Sequence, residues 1–119
     1  MTVLLDTNIV LEHFRSGILL DLPPRTSLCL SVITEAELLR YHGLGIHEIT
    51  IIERFLSITT VLVVDSSIAR RAAKIGRTRS TKLPDLFIAA TSIEFNIALI
   101  TKNIKDFRGI PGLTVRQQI

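Results

Sequence analysis

The chain has 119 residues, 47% of them hydrophobic, with a net charge of +3 and a pI near 9.5. Length and hydrophobicity point to one domain spanning 1–119 and exclude wholesale disorder. No apolar run approaches the ~20 residues of a membrane span, and a single cysteine, Cys29, excludes an internal disulfide and a Cys-rich zinc site. The start MTVLLDTNIV lacks the basic n-region of a signal peptide, so a cytoplasmic setting is expected.

Residues 2–5 (TVLL) read as a strand too continuously apolar to be half-exposed. Residues 7–15 read as a helix with Ile9, Val10 and Phe14 on one side. SGILLDLPPRT is a short helix or turn, stopped by Pro23 and Pro24. Residues 27–32 form a second strand, with Cys29 as a core thiol, and a helix over about 34–42 ends at Gly43. Residues 47–58 read as a helix with two apolar faces, Ile49, Ile52 and Leu56 on one and Ile51, Phe55 and Ile58 on the other.

Residues 60–64 form a third strand. SSIARRAAKIGR is a helix opened by Ser66 or Ser67, with Ile68, Ala72 and Ile75 inward, and TRSTKL is a loop. PDLFIAATSIEFN is a helix with Pro84 in its first turn. Phe14, Phe87 and Phe95 fit inward helical positions. Residues 97–101 are a fourth strand and LTVRQ a candidate fifth. Strands separated by helices imply an α/β three-layer sandwich around a parallel sheet of four to five strands.

Four acids fall where a strand hands over to a helix or loop: Asp6, Glu37, Asp85 and Asp106. Each has an ordinary reading. Asp6 could cap the helix after it; Glu37 could close a capping box with Thr34; Asp85 suits a helix start; Asp106 could close an Asx-type turn. Glu35 competes with Glu37, but lies about 200° round the helix from it. The ordinary readings leave unexplained why all four belong to the carboxyl end of one sheet, where ligands of open α/β sheets gather. Carboxylates brought together there need a cation, and Mg²⁺ or Mn²⁺ prefers such hard oxygen ligands. Asn8, Thr101 and Asn103 add polar groups at the same end.

Other chemistries fit less well. A haloacid-dehalogenase-like phosphatase needs an aspartate where Asn8 stands, and a receiver domain needs an acidic pair beside its Thr101- and Lys102-like residues. No Gly-rich loop cradles a nucleotide, and His13, His42 and His47 lack metal-ligand spacing.

The segments LLDTNIV, SVITEAELL, KLPDLFIAA and LITKNIKDF, in this order and spacing, resemble the PIN-domain nucleases. In particular they resemble the small VapC-type toxins of prokaryotic toxin–antitoxin pairs. The resemblance covers essentially the whole chain. It implies a Mg²⁺ or Mn²⁺ site, hydrolysis of RNA phosphodiester bonds, and a cognate antitoxin as partner. It makes Asp6, Glu37 and Asp85 the principal acids and metal ligands. Asn103 and Asp106 share the fourth position, Asn103 standing where some members of the family have an acid. An inactive PIN-like RNA-binding or scaffolding domain, or a housekeeping RNA-processing nuclease, is the alternative.

Between Asp65 and Asp85 there is no acid but six bases, Arg70, Arg71, Lys74, Arg77, Arg79 and Lys82. They form either a solvated face or an edge that holds RNA phosphates beside the acids. The Ile51, Phe55 and Ile58 face is expected to receive a partner, a second copy in a homodimer or an antitoxin helix. The other expectation for that face is that SGILLDLPP folds over it.

Overall fold

A computed structural model describes residues 1–117. Five parallel strands form one sheet: β1 (Thr2–Leu5), β2 (Ser27–Ser31), β3 (Thr60–Leu62), β4 (Ala98–Ile100) and β5 (Val115–Arg116), in the order β3-β2-β1-β4-β5. Six helices connect them: α1 (Thr7–Ser16), α2 (Val32–Leu39), α3 (Ile46–Ser57), α4 (Ser66–Gly76), α5 (Leu83–Phe95) and the single turn α6 (Ile104–Phe107). The expected α/β sandwich and the candidate fifth strand are both present.

The continuous apolar strands are explained by burial on both faces. Val3, Leu5, Leu30 and Ile100 point to one side, where they meet Ile9 and Val10 of α1, Leu38 of α2, and Ile52, Phe55 and Leu56 of α3. Leu4, Cys29 and Leu99 point to the other, against Ile88 and Ala89 of α5, Phe107 and Ile110. On that second side α4 leans on α5 through Ile68, Ala72, Leu86 and Ala90. The chain leaves β1 toward β2 and β3 and later returns on the other side as β4. The order therefore switches at β1, which places the crevice beside the carboxyl ends of β1 and β4.

Several boundaries move for identifiable reasons. Helix α2 starts at Val32 because the Ser31 hydroxyl accepts the Ile33 N–H at 3.0 Å. Thr34 is thus inside the helix and fully buried, which removes the Thr34–Glu37 capping box. The same helix ends at Leu39, short of Gly43. Helix α4 is opened by Asp65, whose carboxylate accepts the Ile68 N–H at 2.9 Å, and not by Ser66 or Ser67. Phe95 is 48% exposed, because it lies in the last turn of α5, beyond the cover of α4 and the sheet.

The two faces expected on α3 are also redistributed. Phe55 is not at a surface: it is 6% exposed and meets Phe14 edge-on at 5.4 Å between ring centroids. Ile49 takes the outward place at 39% exposure, and Ile51 and Ile58 remain outward at 41% and 73%. Phe55 is met by the rings of His13 and Phe14 of α1, and after α1 comes the 3-10 turn Ile18–Asp21. Its Leu19 is buried in the same cluster as Phe55, with Ile18 and Leu22 packed against it, and the Leu19 N–H donates to His13 Nδ1 at 3.2 Å. The SGILLDLPP segment does close over part of that face, leaving Ile51 and Ile58.

Truncating Phe55 to Ala should therefore cost about 3–5 kcal/mol of stability, whereas Ile58→Ala should stay within about 0.5 kcal/mol. Urea unfolding followed by circular dichroism measures both, and an unchanged midpoint for Phe55→Ala would contradict the packing described.

Candidate active site at the carboxyl edge of the sheet

Asp6 follows β1 at the sheet's centre and is 3% exposed. Both carboxylate oxygens are satisfied. Oδ1 accepts the Thr7 N–H at 2.9 Å, which caps α1, and Oδ2 accepts the Thr101 hydroxyl at 2.7 Å. The Asp6 N–H donates to the Ile100 carbonyl at 3.0 Å, tying the ends of β1 and β4 together. Burial raises the Asp6 carboxyl above the usual range; the two hydrogen bonds oppose this, and the charges of Glu37 and Asp106 add to it. Capping and a site role are thus compatible in one residue.

Glu37 is aimed at the same place from α2. Its Oε1 accepts the Thr7 hydroxyl at 2.7 Å, and the Thr7 and Thr34 hydroxyls are 3.0 Å apart. Since Thr7 has one hydroxyl proton and gives it to Glu37, Thr34 must donate to Thr7. Glu37 therefore belongs to a side-chain network and caps nothing. Thr7 and Thr34 escaped the sequence reading because each looked like a helix-start residue. Their meeting joins positions 27 residues apart.

Asp85 lies in the first turn of α5, after Pro84. A helix start favours its charge, yet its pKa is pushed up to about 6. Partial burial is the first cause, then repulsion from Asp6, Asp106 and Glu37; Lys82 opposes it weakly.

Asp106 in α6 accepts a hydrogen bond from the Asn103 side-chain amide, and the Asn103 N–H donates to the Thr101 hydroxyl at 2.9 Å. Asp6, Thr101, Asn103 and Asp106 form a continuous chain. Lys102 points away from it, paired with Glu12 of α1 at 3.0 Å.

Two adjoining clefts share Asn8, Glu37 and Asp85. One, of about 380 Å³, is also lined by Asp6, Arg40, Tyr41 and His42. The other, of about 650 Å³, is also lined by Arg79, Lys82, Asn103, Lys105 and Asp106. The predicted basic stretch is therefore divided. Arg79 and Lys82 stand beside the acids. Arg71, Lys74 and Arg77 line a separate groove that also takes in Arg79. Arg70 lies further round α4, where Arg71 pairs with Glu94.

Lys105, Arg40, Tyr41 and His42 were missed by sequence. Helical spacing from Glu37 to Arg40 and Tyr41 (i+3, i+4) is the signal that could have found two of them. Among the described residues, no three His, Cys, Asp or Glu side chains already stand together as a metal-holding group. The acids share one electrostatic environment without forming a closed cage.

The raised Asp85 pKa carries a sign. Between pH ~3.8 and about 6 the folded carboxyl keeps a proton that the unfolded chain has released, so stability falls as pH rises through that window. The penalty is absent below it and complete above it. In EDTA, Asp85→Asn should therefore melt higher than the parent at pH 7.5, with the gain shrinking to nothing near pH 4. Thermal melts across this pH series check it, and a pH-independent difference would remove the repulsion argument.

The pattern of the PIN domain matches residues 3–113. Comparison by sequence with curated proteins found no match. Among solved structures, VapBC-1 from nontypeable Haemophilus influenzae is similar at 29% identity and a TM-score of 0.84, over 98% of this chain and 97% of that one. A toxin–antitoxin complex from Klebsiella pneumoniae is similar at 31% identity and a TM-score of 0.78, over 98% and 99%. VapBC2 from Rickettsia felis, bound to a DNA fragment from its promoter, shares the fold at 22% identity and a TM-score of 0.81, over 98% of both chains. With the family pattern spanning nearly the whole sequence, and the acids gathered at the sheet edge, the chain belongs to the PIN domain family.

Proposed function

We propose that this protein is a Mg²⁺- or Mn²⁺-dependent endoribonuclease and the toxin of a toxin–antitoxin pair, acting in the cytoplasm. The observation that carries the reading is the convergence of Asp6, Glu37, Asp85 and Asp106 on two adjoining clefts at one end of the sheet, where burial first and then the neighbouring acids push Asp85 up to a pKa of about 6. Carboxylates serving only as caps would gain nothing from this crowding; a cation relieves it.

The donors suit a hard ion. All are oxygens, and the open arrangement matches Mg²⁺, which keeps several waters and needs one or two direct carboxylates. Asp6 and Asp85 would hold the ion, with Glu37 completing the shell. When bound, the ion lowers the pKa of water and stabilises charge on the phosphate. Glu37, held by Thr7, would accept a proton from the attacking water. Asp106 would keep Asn103 turned to orient water or phosphate. Arg79, Lys82 and Lys105 would hold substrate phosphates, offsetting the repulsion between acids and RNA. Arg71, Lys74 and Arg77 would extend that hold away from the cleft through Arg79, with Arg70 at its far edge.

The similarity to toxin–antitoxin complexes over nearly the full length of both chains supports an antitoxin partner. The outward Ile51 and Ile58 of α3 would contribute to an interface with that partner or with a second copy.

Purified protein should cut single-stranded RNA with Mg²⁺ or Mn²⁺, stop in EDTA, and resume on adding metal. Metal should also raise the melting temperature by mass action, and less so in Asp6→Asn and Asp85→Asn, which should lose nearly all cleavage while remaining folded. Glu37→Gln, with no cap to lose, should fall on the order of 100-fold or more in rate. Cleavage persisting in EDTA with metal verified absent, or a wild-type rate from Asp85→Asn, would refute the reading.

A further inference from the structure

The two rims of the crevice are chemically unequal. The rim formed by residues 78–85 and 103–106 offers Arg79, Lys82 and Lys105 and no aromatic side chain. The opposite rim, at the end of α2, offers Arg40, Tyr41 and His42. Tyr41 is the only tyrosine in a chain without tryptophan, and it is 51% exposed. It pairs with no other ring among the described residues, whereas His13, Phe14 and Phe55 stack together in the core.

The backbone that carries this ring is held on both sides. Upstream, α2 is anchored by fully buried Thr34 and Leu38 and ends at Leu39, with the N–H of the capping residue Arg40 donating to the Ala36 carbonyl at 3.0 Å. Downstream, Gly43 turns the chain at a φ of +81°, a conformation costly for other residues, and Leu44 packs against the core. Tyr41 lies two residues past the end of α2, the helix that also carries Glu37, and lines the same cleft.

We infer that Tyr41 is a stacking platform for a nucleobase next to the cleaved phosphate of single-stranded RNA, with the Arg40 guanidinium on the adjoining phosphate. The inference rests on the RNA reading of the crevice. The strand then crosses the acids from a rim that takes a base to a rim that takes only the backbone. A base can reach a flat ring in this way only when unpaired, so the platform selects single strands. It is tolerant of sequence, because every base has a π-face.

The sole tyrosine makes the test direct, since intrinsic emission reports this ring alone. Asp85→Asn protein with Mg²⁺ is titrated with hexa-adenylate, using free tyrosine amide to correct for absorption and tripolyphosphate as the backbone-charge control. Hexa-adenylate should quench the emission and tripolyphosphate should not. In the same background, anisotropy of a fluorescein-labelled hexa-adenylate should show binding weakened on the order of tenfold by Tyr41→Leu, and retained by Tyr41→Phe, with circular dichroism unchanged. Absent or weak binding of hexa-adenylate, binding without quenching, equal quenching by tripolyphosphate, or wild-type affinity in Tyr41→Leu would overturn the platform. A protein that cuts RNA without quenching loses the platform and keeps the nuclease reading. Quenching and weakened Tyr41→Leu binding in a protein that cuts nothing do the reverse.

Discussion

A carboxylate removed from water at the centre of the sheet edge imposes conditions on everything near it. Asp6 is almost wholly buried, and an unpaired charge there would carry a large desolvation penalty. The fold meets that penalty with two donors of different origin. The Thr7 N–H is free because the first amides of a helix have no intrahelical partner. The Thr101 hydroxyl is supplied by β4, which lies beside β1 only because the chain crosses the sheet late. The order of the strands and the solvation of Asp6 are thus two aspects of one arrangement.

From this pair the network extends in both directions. Thr7 holds Glu37 and takes a hydrogen bond from buried Thr34, which docks α2 on α1. Thr101 accepts from the Asn103 amide, and Asn103 in turn is bonded to Asp106. Among the described residues no buried side-chain nitrogen or oxygen lacks a partner. The polar interior is therefore rigid where it touches the sheet. What it leaves is a crowding of charge at Asp85, whose carboxyl is raised first by burial and then by three neighbouring acids. The site is thus satisfied in hydrogen bonds while its carboxylates remain close to one another.

The periphery follows a different logic. The surfaces around the crevice come from the residues after α2, the loop between α4 and α5, and the short α6, whose Phe107 reaches the core. They bring Arg40 to one cleft beside the acids and Arg79, Lys82 and Lys105 to the other. The similarity to other PIN-fold chains spans nearly their whole length at modest identity, as expected where a few buried positions set the architecture and the rims are free to vary.

The periodic apolar pattern was enough for the α/β class, for β1, and for the inward sides of α1 and α4, because local burial alone produces it. Of the four acids only Asp6 directly follows a strand, while Glu37 lies within α2, Asp85 at the start of α5 after α4, and Asp106 in α6; it was their order that carried the family resemblance. Three features were decided only by tertiary packing. Glu37 and Thr34 look like a capping box until Ser31 takes the cap and the Thr7 hydroxyl arrives from another helix. Phe55 looks as outward as Ile58 until Phe14 of α1 meets it edge-on, a contact between distant positions that no helical period encodes. The basic stretch looks continuous until α4 carries Arg70 and Arg71 away while the following loop brings Arg79 and Lys82 to the acids. Spacing along a chain fixes which side of its own helix or strand a residue occupies. Which other element meets that side depends on the path of the whole chain, and the site is made of such meetings.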